Sequence, residues 1–69
     1  MIDNQKLGEH IRELRCRKKL TQIELAEAAG MSQTAISLIE SGKSSLVSIH
    51  NLHSIAVVLG IGVDKLLFT

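Results

Sequence analysis

The chain has 69 residues, of which 45% are hydrophobic and 22% charged, and its formal net charge is +1 at pH 7. This length predicts a single domain, and a domain so small buries only about 60% of the surface that its unfolded chain exposes. A net charge so close to zero argues against a strongly basic protein that coats DNA without sequence preference. The lack of proline and the high hydrophobic content argue against a disordered tail.

The cysteine content and the apolar runs indicate in which cellular compartment the protein is found. Cys16 is the single cysteine, and a lone cysteine is typical of proteins in a reducing environment. The N-terminus lacks the basic region followed by an apolar stretch that marks a secretory signal. The longest apolar run, residues 55–63, contains two glycines and is far shorter than the roughly twenty residues of a membrane span. These features predict a cytoplasmic protein with no membrane contact.

The first predicted helix spans about residues 4–18. Leu7, Ile11 and Leu14 recur at the spacing of a stripe that faces a hydrophobic core. A basic run begins in the second half of this helix and covers eight residues; its cations are Arg12, Arg15, Arg17, Lys18 and Lys19, offset there by Glu13.

The spacing of the basic residues predicts a stripe on one side of this helix. Arg12, Arg15 and Lys19 follow i, i+3 and i+7. Such a run is most often a solvated helix face, and the alternative is contact with phosphate groups. The helices that follow favour phosphate contact for part of the stripe.

A second helix begins after Thr21. Thr21 and Glu24 have the spacing of a capping box, in which each side chain accepts a hydrogen bond from the backbone N–H of the other residue. Gly30 stands just past the last turn, where a left-handed residue ends a helix at little cost. The apolar stripe of this helix consists of Leu25, Ala26 and Ala29.

The next helix, residues 32–40, has two unlike faces at the spacing of about 100° per residue. One face is apolar and consists of Ala35, Ile36 and Ile39. The other consists of Gln33, Thr34, Ser37 and Leu38. An ordinary surface helix has such a pattern too, but uncharged polar groups that face outward also suit the base edges of the DNA major groove.

Together the second and third helices have the pattern of a helix-turn-helix unit, at about residues 21–41. Counted from Gln22, a small residue is fifth (Ala26), glycine is ninth (Gly30) and a branched apolar residue is fifteenth (Ile36). These positions allow the two helices to cross closely, the turn to take a positive φ, and the second helix to pack against the first.

Two more helices complete the prediction. The fourth begins at Ser48, a candidate N-cap, and ends before Gly60; the fifth is a short turn at residues 63–67. Residues 41–47 form the one sizeable irregular loop. No strand is needed, so the predicted class is all-α.

The chain resembles the phage repressor and Cro-type helix-turn-helix proteins over nearly its whole length. The resemblance is carried by residues 11–15, 20–22, 24–26, 29–30, 36–37, 39–40, 42–43, 55–56, 59–60 and 63–67. It implies a compact five-helix, lambda-repressor-like DNA-binding domain over residues 1–69, without a cofactor. It also implies a sequence-specific regulator of transcription whose helix 32–40 enters the major groove of double-stranded DNA.

The chain departs from the family pattern in two places. Members often have proline shortly before the fourth helix, where this chain has Leu46 and Val47. Polar or basic residues are also usual where it has Val57 and Val58.

Four residues of the third helix are candidates for reading bases. Gln33 offers a donor and an acceptor side by side, which matches adenine N6 and N7, and by resemblance it occupies the position of a base-reading glutamine. Thr34 and Ser37 offer hydroxyls to a base or a phosphate. Leu38 could contact a thymine methyl group, or it is a singly exposed leucine.

A second group of residues is predicted to contact phosphates, which sets the register on DNA without reading sequence. By resemblance Gln22 binds a phosphate at the start of the second helix, where the helix dipole also favours an anion. The other candidates are Arg12, Lys19, Ser41, Lys43, Ser44 and Ser45. A solvated side chain is the plain alternative for each.

The resemblance also predicts an ion pair between Arg15 and Glu40, which would fix the third helix against the first. Its net stabilisation is expected to be small.

A homodimer is expected because single small readers make few DNA contacts, and two-fold dimers bind half-sites roughly 34 Å apart. The candidate interface consists of Val57, Val58, Ile61, Leu67 and Phe68. Alternatively, these residues close the core of the monomer.

Other chemistries find little support in the sequence. His50 and His53 lie three residues apart, with His10 and Cys16 elsewhere, but their spacing does not match a zinc site. We find no phosphate-binding glycine loop and no acid–base pair, so no enzyme is predicted.

The main alternative is a protein-interaction module. An antitoxin or adaptor could use the same C-terminal apolar surface to bind another protein. Among regulators, a phage-type repressor, a restriction–modification controller and an antitoxin-like autoregulator all fit the sequence.

Overall fold

The computed structural model describes residues 3–43 and 48–67, which form five α-helices. In chain order these are α1 (Asn4–Arg17), α2 (Gln22–Ala29), α3 (Gln33–Glu40), α4 (Ile49–Leu59) and α5 (Val63–Leu67). The predicted all-α class and the five helices are confirmed. Ser44, Ser45, the Leu46–Val47 departure and Phe68 lie outside the described residues.

The helices begin where the sequence provides capping side chains. At the start of α2, Thr21 Oγ1 accepts from the Glu24 N–H at 3.0 Å and Glu24 Oε1 accepts from the Thr21 N–H at 2.9 Å, so the predicted capping box is confirmed. Ser32 caps α3 and Ser48 caps α4, each accepting a backbone N–H at 3.1 Å. Serine and threonine suit these positions because their oxygens satisfy N–H groups that lack a helical partner.

The turn between α2 and α3 is fixed by local hydrogen bonds. Gly30 has φ +71°, in the left-handed region where glycine is favoured. The Met31 N–H then donates to Ala26 O at 2.8 Å, and the Met31 side chain packs against the core. The second helix of the unit therefore leaves the first at a defined angle.

Helix α1 ends within one residue of the predicted bound, but the turn that follows it corrects the basic stripe. The helix ends at Arg17, and Lys19 has φ +59°, the one positive φ among described residues other than glycine. The Leu20 N–H donates to Arg15 O at 3.1 Å across this turn. Because Lys19 lies beyond the helix end, it does not continue the i, i+3, i+7 stripe with Arg12 and Arg15.

The core lies between α1, the α2–α3 unit and the C-terminal helices. Helix α1 packs against α3 and α5, α2 packs against α3 and α4, and α4 packs against α5. The buried apolar residues are Leu7, Ile11, Leu25, Ala26, Ile36, Ile39, Leu52, Ile55, Ala56, Leu59 and Leu66. Helix α3 is therefore held from two sides while its outer face stays open.

Candidate nucleic-acid interface

Helix α3 is divided into a buried face and an exposed face. Ile36 is 0% and Ile39 5% exposed, because their face packs against α1 and α2. The exposed face carries the candidate base readers Gln33, Thr34, Ser37 and Leu38. We call this exposed face of α3 the reading face.

An ion pair with good geometry joins α1 to the end of α3. Arg15 Nε donates to Glu40 Oε2 at 2.7 Å, and Arg15 Nη2 donates to Glu40 Oε1 at 3.0 Å. The side chains are 11% and 3% exposed. The hydrogen bond to Glu40 raises the pKa of Arg15 above its ordinary value and outweighs the loss of hydration. The pair predicted from the sequence is thus present, in a fork geometry that fixes both groups.

Two further hydrogen bonds extend this pair into a network. Arg15 Nη1 donates to Leu20 O at 2.7 Å, and Gln22 Nε2 donates to Glu40 Oε1 at 3.1 Å. Glu40 is the one buried charged residue in the described part of the chain. The carboxylate of Glu40 therefore accepts from α1 and from the start of α2, so it holds three helices together. The sequence predicted the Arg15 contact but not the Gln22 contact.

A shallow concavity of about 270 Å³ lies over this network, beside the reading face. Its lining residues are Arg12, Arg15, Gln22, Ser37, Glu40 and Ser41. Three of the candidate phosphate contacts thus come together: Arg12, Gln22 and Ser41. Since the charges of Arg15 and Glu40 cancel, the guanidinium of Arg12 gives the concavity a net positive charge.

The side chains around the concavity differ in whether they have hydrogen-bond donors that are not already used within the protein. The Gln22 amide donates one N–H to Glu40 and retains a second, because an amide nitrogen carries two hydrogens. Ser41 Oγ donates to Leu38 O at 3.1 Å, so a phosphate contact requires that hydroxyl to rotate. Arg12 takes part in neither of the two ion pairs found among the described residues.

The other predicted phosphate contacts lie outside the concavity. Lys43 is exposed just after α3, where its N–H donates to Leu38 O at 3.1 Å. Lys19 is exposed in the turn after α1. Arg17, part of the same basic run, pairs instead with Glu13 at 2.5 Å on the solvent side of α1. The solvated interpretation therefore fits part of the basic run.

The predicted dimer surface is only partly exposed. Val57 is 65% exposed, whereas Val58, Ile61 and Leu67 are half-buried and pack against the core of the monomer. For those three residues the alternative interpretation, closure of the monomer core, fits the contacts. Ile49, which the sequence analysis missed, is 66% exposed two helical turns before Val57 on α4. We call Ile49 and Val57 the α4 patch.

The remaining candidates do not assemble into another kind of site. Within residues 3–43 and 48–67, no three histidine, cysteine, aspartate or glutamate side chains are grouped so that they could hold a metal ion. Cys16 is a free, exposed thiol. No helix in the same ranges combines the length and the apolar character needed to cross a membrane.

Comparison with known proteins gives consistent matches over most of the chain. The helix-turn-helix family profile matches residues 11–66. The ImmF control region 10 kDa protein of Bacillus phage phi105 is 41% identical over 69 residues, which cover 100% of this chain and 76% of that protein.

Solved structures match equally well. The restriction-modification controller protein C.AhdI from Aeromonas hydrophila has a TM-score of 0.88 at 34% identity, over 93% of this chain and 96% of that chain. The P22 c2 repressor, solved with a synthetic operator, has a TM-score of 0.84 at 32% identity, over 90% of this chain and 92% of that chain. With these matches and the two-faced α3, the chain belongs to the helix-turn-helix family of DNA-binding transcription regulators.

Proposed function

We propose that the protein is a repressor that binds a palindromic operator as a homodimer, with α3 in the major groove. The observation that carries the proposal is the reading face, where Gln33, Thr34 and Ser37 are exposed and none of their side chains hydrogen bonds within the described residues. The relative P22 c2 was solved with a synthetic operator, which supports this role. The proposal assigns one domain, no catalytic activity and a cytoplasmic location to the protein.

Recognition would divide between base contacts and phosphate contacts. Gln33 stands in the first turn of α3, where its amide would read an adenine through N6 and N7, and Thr34, Ser37 and Leu38 would contact neighbouring bases. A DNA phosphate would occupy the concavity, bound by Arg12 and the free amide hydrogen of Gln22. Lys43 would contact the strand beyond the C-terminal end of α3.

Dimerisation would use the α4 patch. Ile49 and Val57 are both more than half exposed, and their spacing of eight residues puts them on one side of α4 about 12 Å apart. Isologous contacts between two such patches would pair two reading faces across a palindrome. The second candidate function rests on the same exposure: as an antitoxin or adaptor, the chain would bind a different protein through this patch.

Selection of bound duplexes from a random pool tests the proposal most directly. A repressor will enrich one palindromic sequence, and its affinity will fall linearly on a log–log plot against salt concentration as phosphate contacts release counterions. If the pool yields no enriched sequence and the affinity for DNA is negligible at low salt, the protein-interaction function is favoured instead.

Gln33→Ala is expected to relax the preference at one base step of each half-site, at a cost of about 1–3 kcal/mol in discrimination, because a bidentate amide–adenine contact is lost. The measurement is the affinity for the selected operator and for its single-base variants. Lys43→Ala is the matched comparison: loss of a phosphate contact will weaken binding to all duplexes alike and reduce the salt slope by about one. Equal behaviour of the two variants would contradict the assignment of Gln33.

Val57→Glu is expected to raise the dimer dissociation constant by at least about tenfold, because an unpaired carboxylate would be buried in the α4 interface. Sedimentation equilibrium at tens of micromolar protein measures this. Ile23→Glu provides the control, since Ile23 is 51% exposed on α2 and lies outside the α4 patch. A wild-type protein that sediments only as a monomer would rule out the dimer.

A further inference from the structure

Gly8 lies in the middle of α1 and is buried against the end of α3. A Cβ atom at this position would lie 2.6 Å from the carbonyl oxygen of Glu40 and closer still to that of Ile39. Real Cβ atoms essentially never approach other atoms within 3.0 Å. The neighbours are backbone atoms of a helix, which cannot swing aside as a side chain can. The backbones of α1 and α3 therefore touch here with no side chain between them.

A second contact of the same kind lies one turn away. A Cβ at Gly42, just after α3, would lie 2.9 Å from Gln5 Cα. Gln5 and Gly8 are three residues apart on α1 and so face the same side. We call this pair of backbone contacts, Gln5–Gly42 and Gly8 with residues 39–40, the α1 seat.

The other glycines show that such close contact with backbone atoms is not general in this chain. A Cβ at Gly30 would meet nothing within 4 Å. One at Gly60 would meet only the end of the Lys18 side chain, and one at Gly62 would meet only the side chain of Asp64, at 2.5 Å. A glycine inside a helix costs about 1 kcal/mol relative to alanine. Gly8 is therefore unfavourable for α1 alone, and the close approach of α3 is what it permits.

We propose that Gly8 is a positioning residue for DNA recognition, which fixes how far the reading face stands from α1 and from the concavity that holds Arg12. This inference rests on the proposed function. A methyl group at position 8 would separate α1 from the C-terminal end of α3. Base contacts must be held within about 0.5 Å of their productive geometry, whereas phosphate contacts through long side chains adapt to small displacements. A methyl group at position 8 should therefore lower the affinity for the operator and leave the affinity for unrelated DNA unchanged.

Gly8→Ala tests this directly. Affinity is measured for the selected operator and for an unrelated duplex of equal length, at one salt concentration and at a temperature where circular dichroism shows the variant folded. We expect about a tenfold loss of operator affinity, the effect of one lost base contact, with little change for the unrelated duplex. Ile55→Val is the control for stability, since it removes one methylene from the core in α4, which packs against α2 and α5; its operator preference should equal that of the wild type.

Gly42→Ala probes the same seat from the α3 side and decides the question if Gly8→Ala does not fold. Because Gly42 has φ +75°, alanine is strained there whatever the space, and Gly60→Ala, at φ +76° without a backbone neighbour, is the control for that strain. Gly42→Ala is expected to lower the ratio of operator to unrelated affinity as well. An unchanged ratio in the folded Gly8→Ala protein, or in Gly42→Ala where Gly8→Ala is unfolded, would overturn the proposal. So would an equal loss in Ile55→Val. A wild-type protein that prefers no duplex would instead refute the proposed function itself, so the two failures are distinguishable.

Discussion

Arg15→Ala is expected to lower the free energy of unfolding by about 3–5 kcal/mol, because removal of the guanidinium leaves the buried Glu40 carboxylate without an opposite charge. The Glu40 side chain is only 3% exposed, and the Gln22 amide is the one neutral side-chain donor that it retains among the described residues. Leu20 O loses its donor at the same time. Since folded domains are stable by only about 0.05–0.15 kcal/mol per residue, this loss is comparable with the whole stability expected for so short a chain. Urea denaturation measures it.

Arg17→Ala supplies the matched control for this prediction. Arg17 also pairs with a glutamate, but the two side chains are 70% and 58% exposed, and an exposed i, i+4 pair contributes about 0.3–0.5 kcal/mol. Equal destabilisation by the two variants would contradict the importance of burial. A double-mutant cycle of Arg15→Ala with Glu40→Ala measures the coupling directly, and a coupling energy near zero would show that the pair does not act as a unit. DNA affinity should fall with Arg15→Ala chiefly because α3 is displaced.

Ile36→Ala is expected to destabilise the protein by about 2–5 kcal/mol, the cost of lost burial plus a cavity. Ile36 is 0% exposed and lies directly beneath the reading face. The measurement is the urea midpoint at constant m-value. Leu38→Ala on the same helix is the control, since Leu38 is 44% exposed and surface substitutions usually change stability by less than about 0.5 kcal/mol. Similar midpoints for both variants would contradict the two-faced packing of α3.

The helix boundaries were predictable because their signals are local. Thr21 and Ser48 cap the N-termini of α2 and α4 with their own side chains, and Gly30 and Gly60 take the positive φ that ends each of these helices. The two faces of α3 could be predicted equally well from helical periodicity. At about 100° per residue, Ile36 and Ile39 fall on one side of the helix, and Gln33 and Ser37 fall on the other. Each of these features depends on residues within one or two turns.

Tertiary features were harder to predict. One local feature was also hidden, because Lys19 takes a left-handed conformation that no glycine or asparagine marks in the sequence. The amide of Gln22 binds Glu40, eighteen residues away, rather than solvent alone. The contact of Gly8 with the end of α3 joins residues far apart in the sequence, so only the folded structure shows it. The i, i+8 relation of Ile49 and Val57 was a usable signal for the α4 patch.

The separation of the two faces of α3 has an evolutionary consequence. The side chains of Gln33, Thr34 and Ser37 are exposed and make no hydrogen bond within the described residues. Under the proposed function, substitutions there would change which sequence is recognised while leaving the fold intact. Residues 15, 22 and 40 have no such freedom, since they share one network. If the reading face has the role proposed above, descendants of this protein would acquire new target sites through single mutations at these exposed positions, without first accumulating stabilising changes elsewhere.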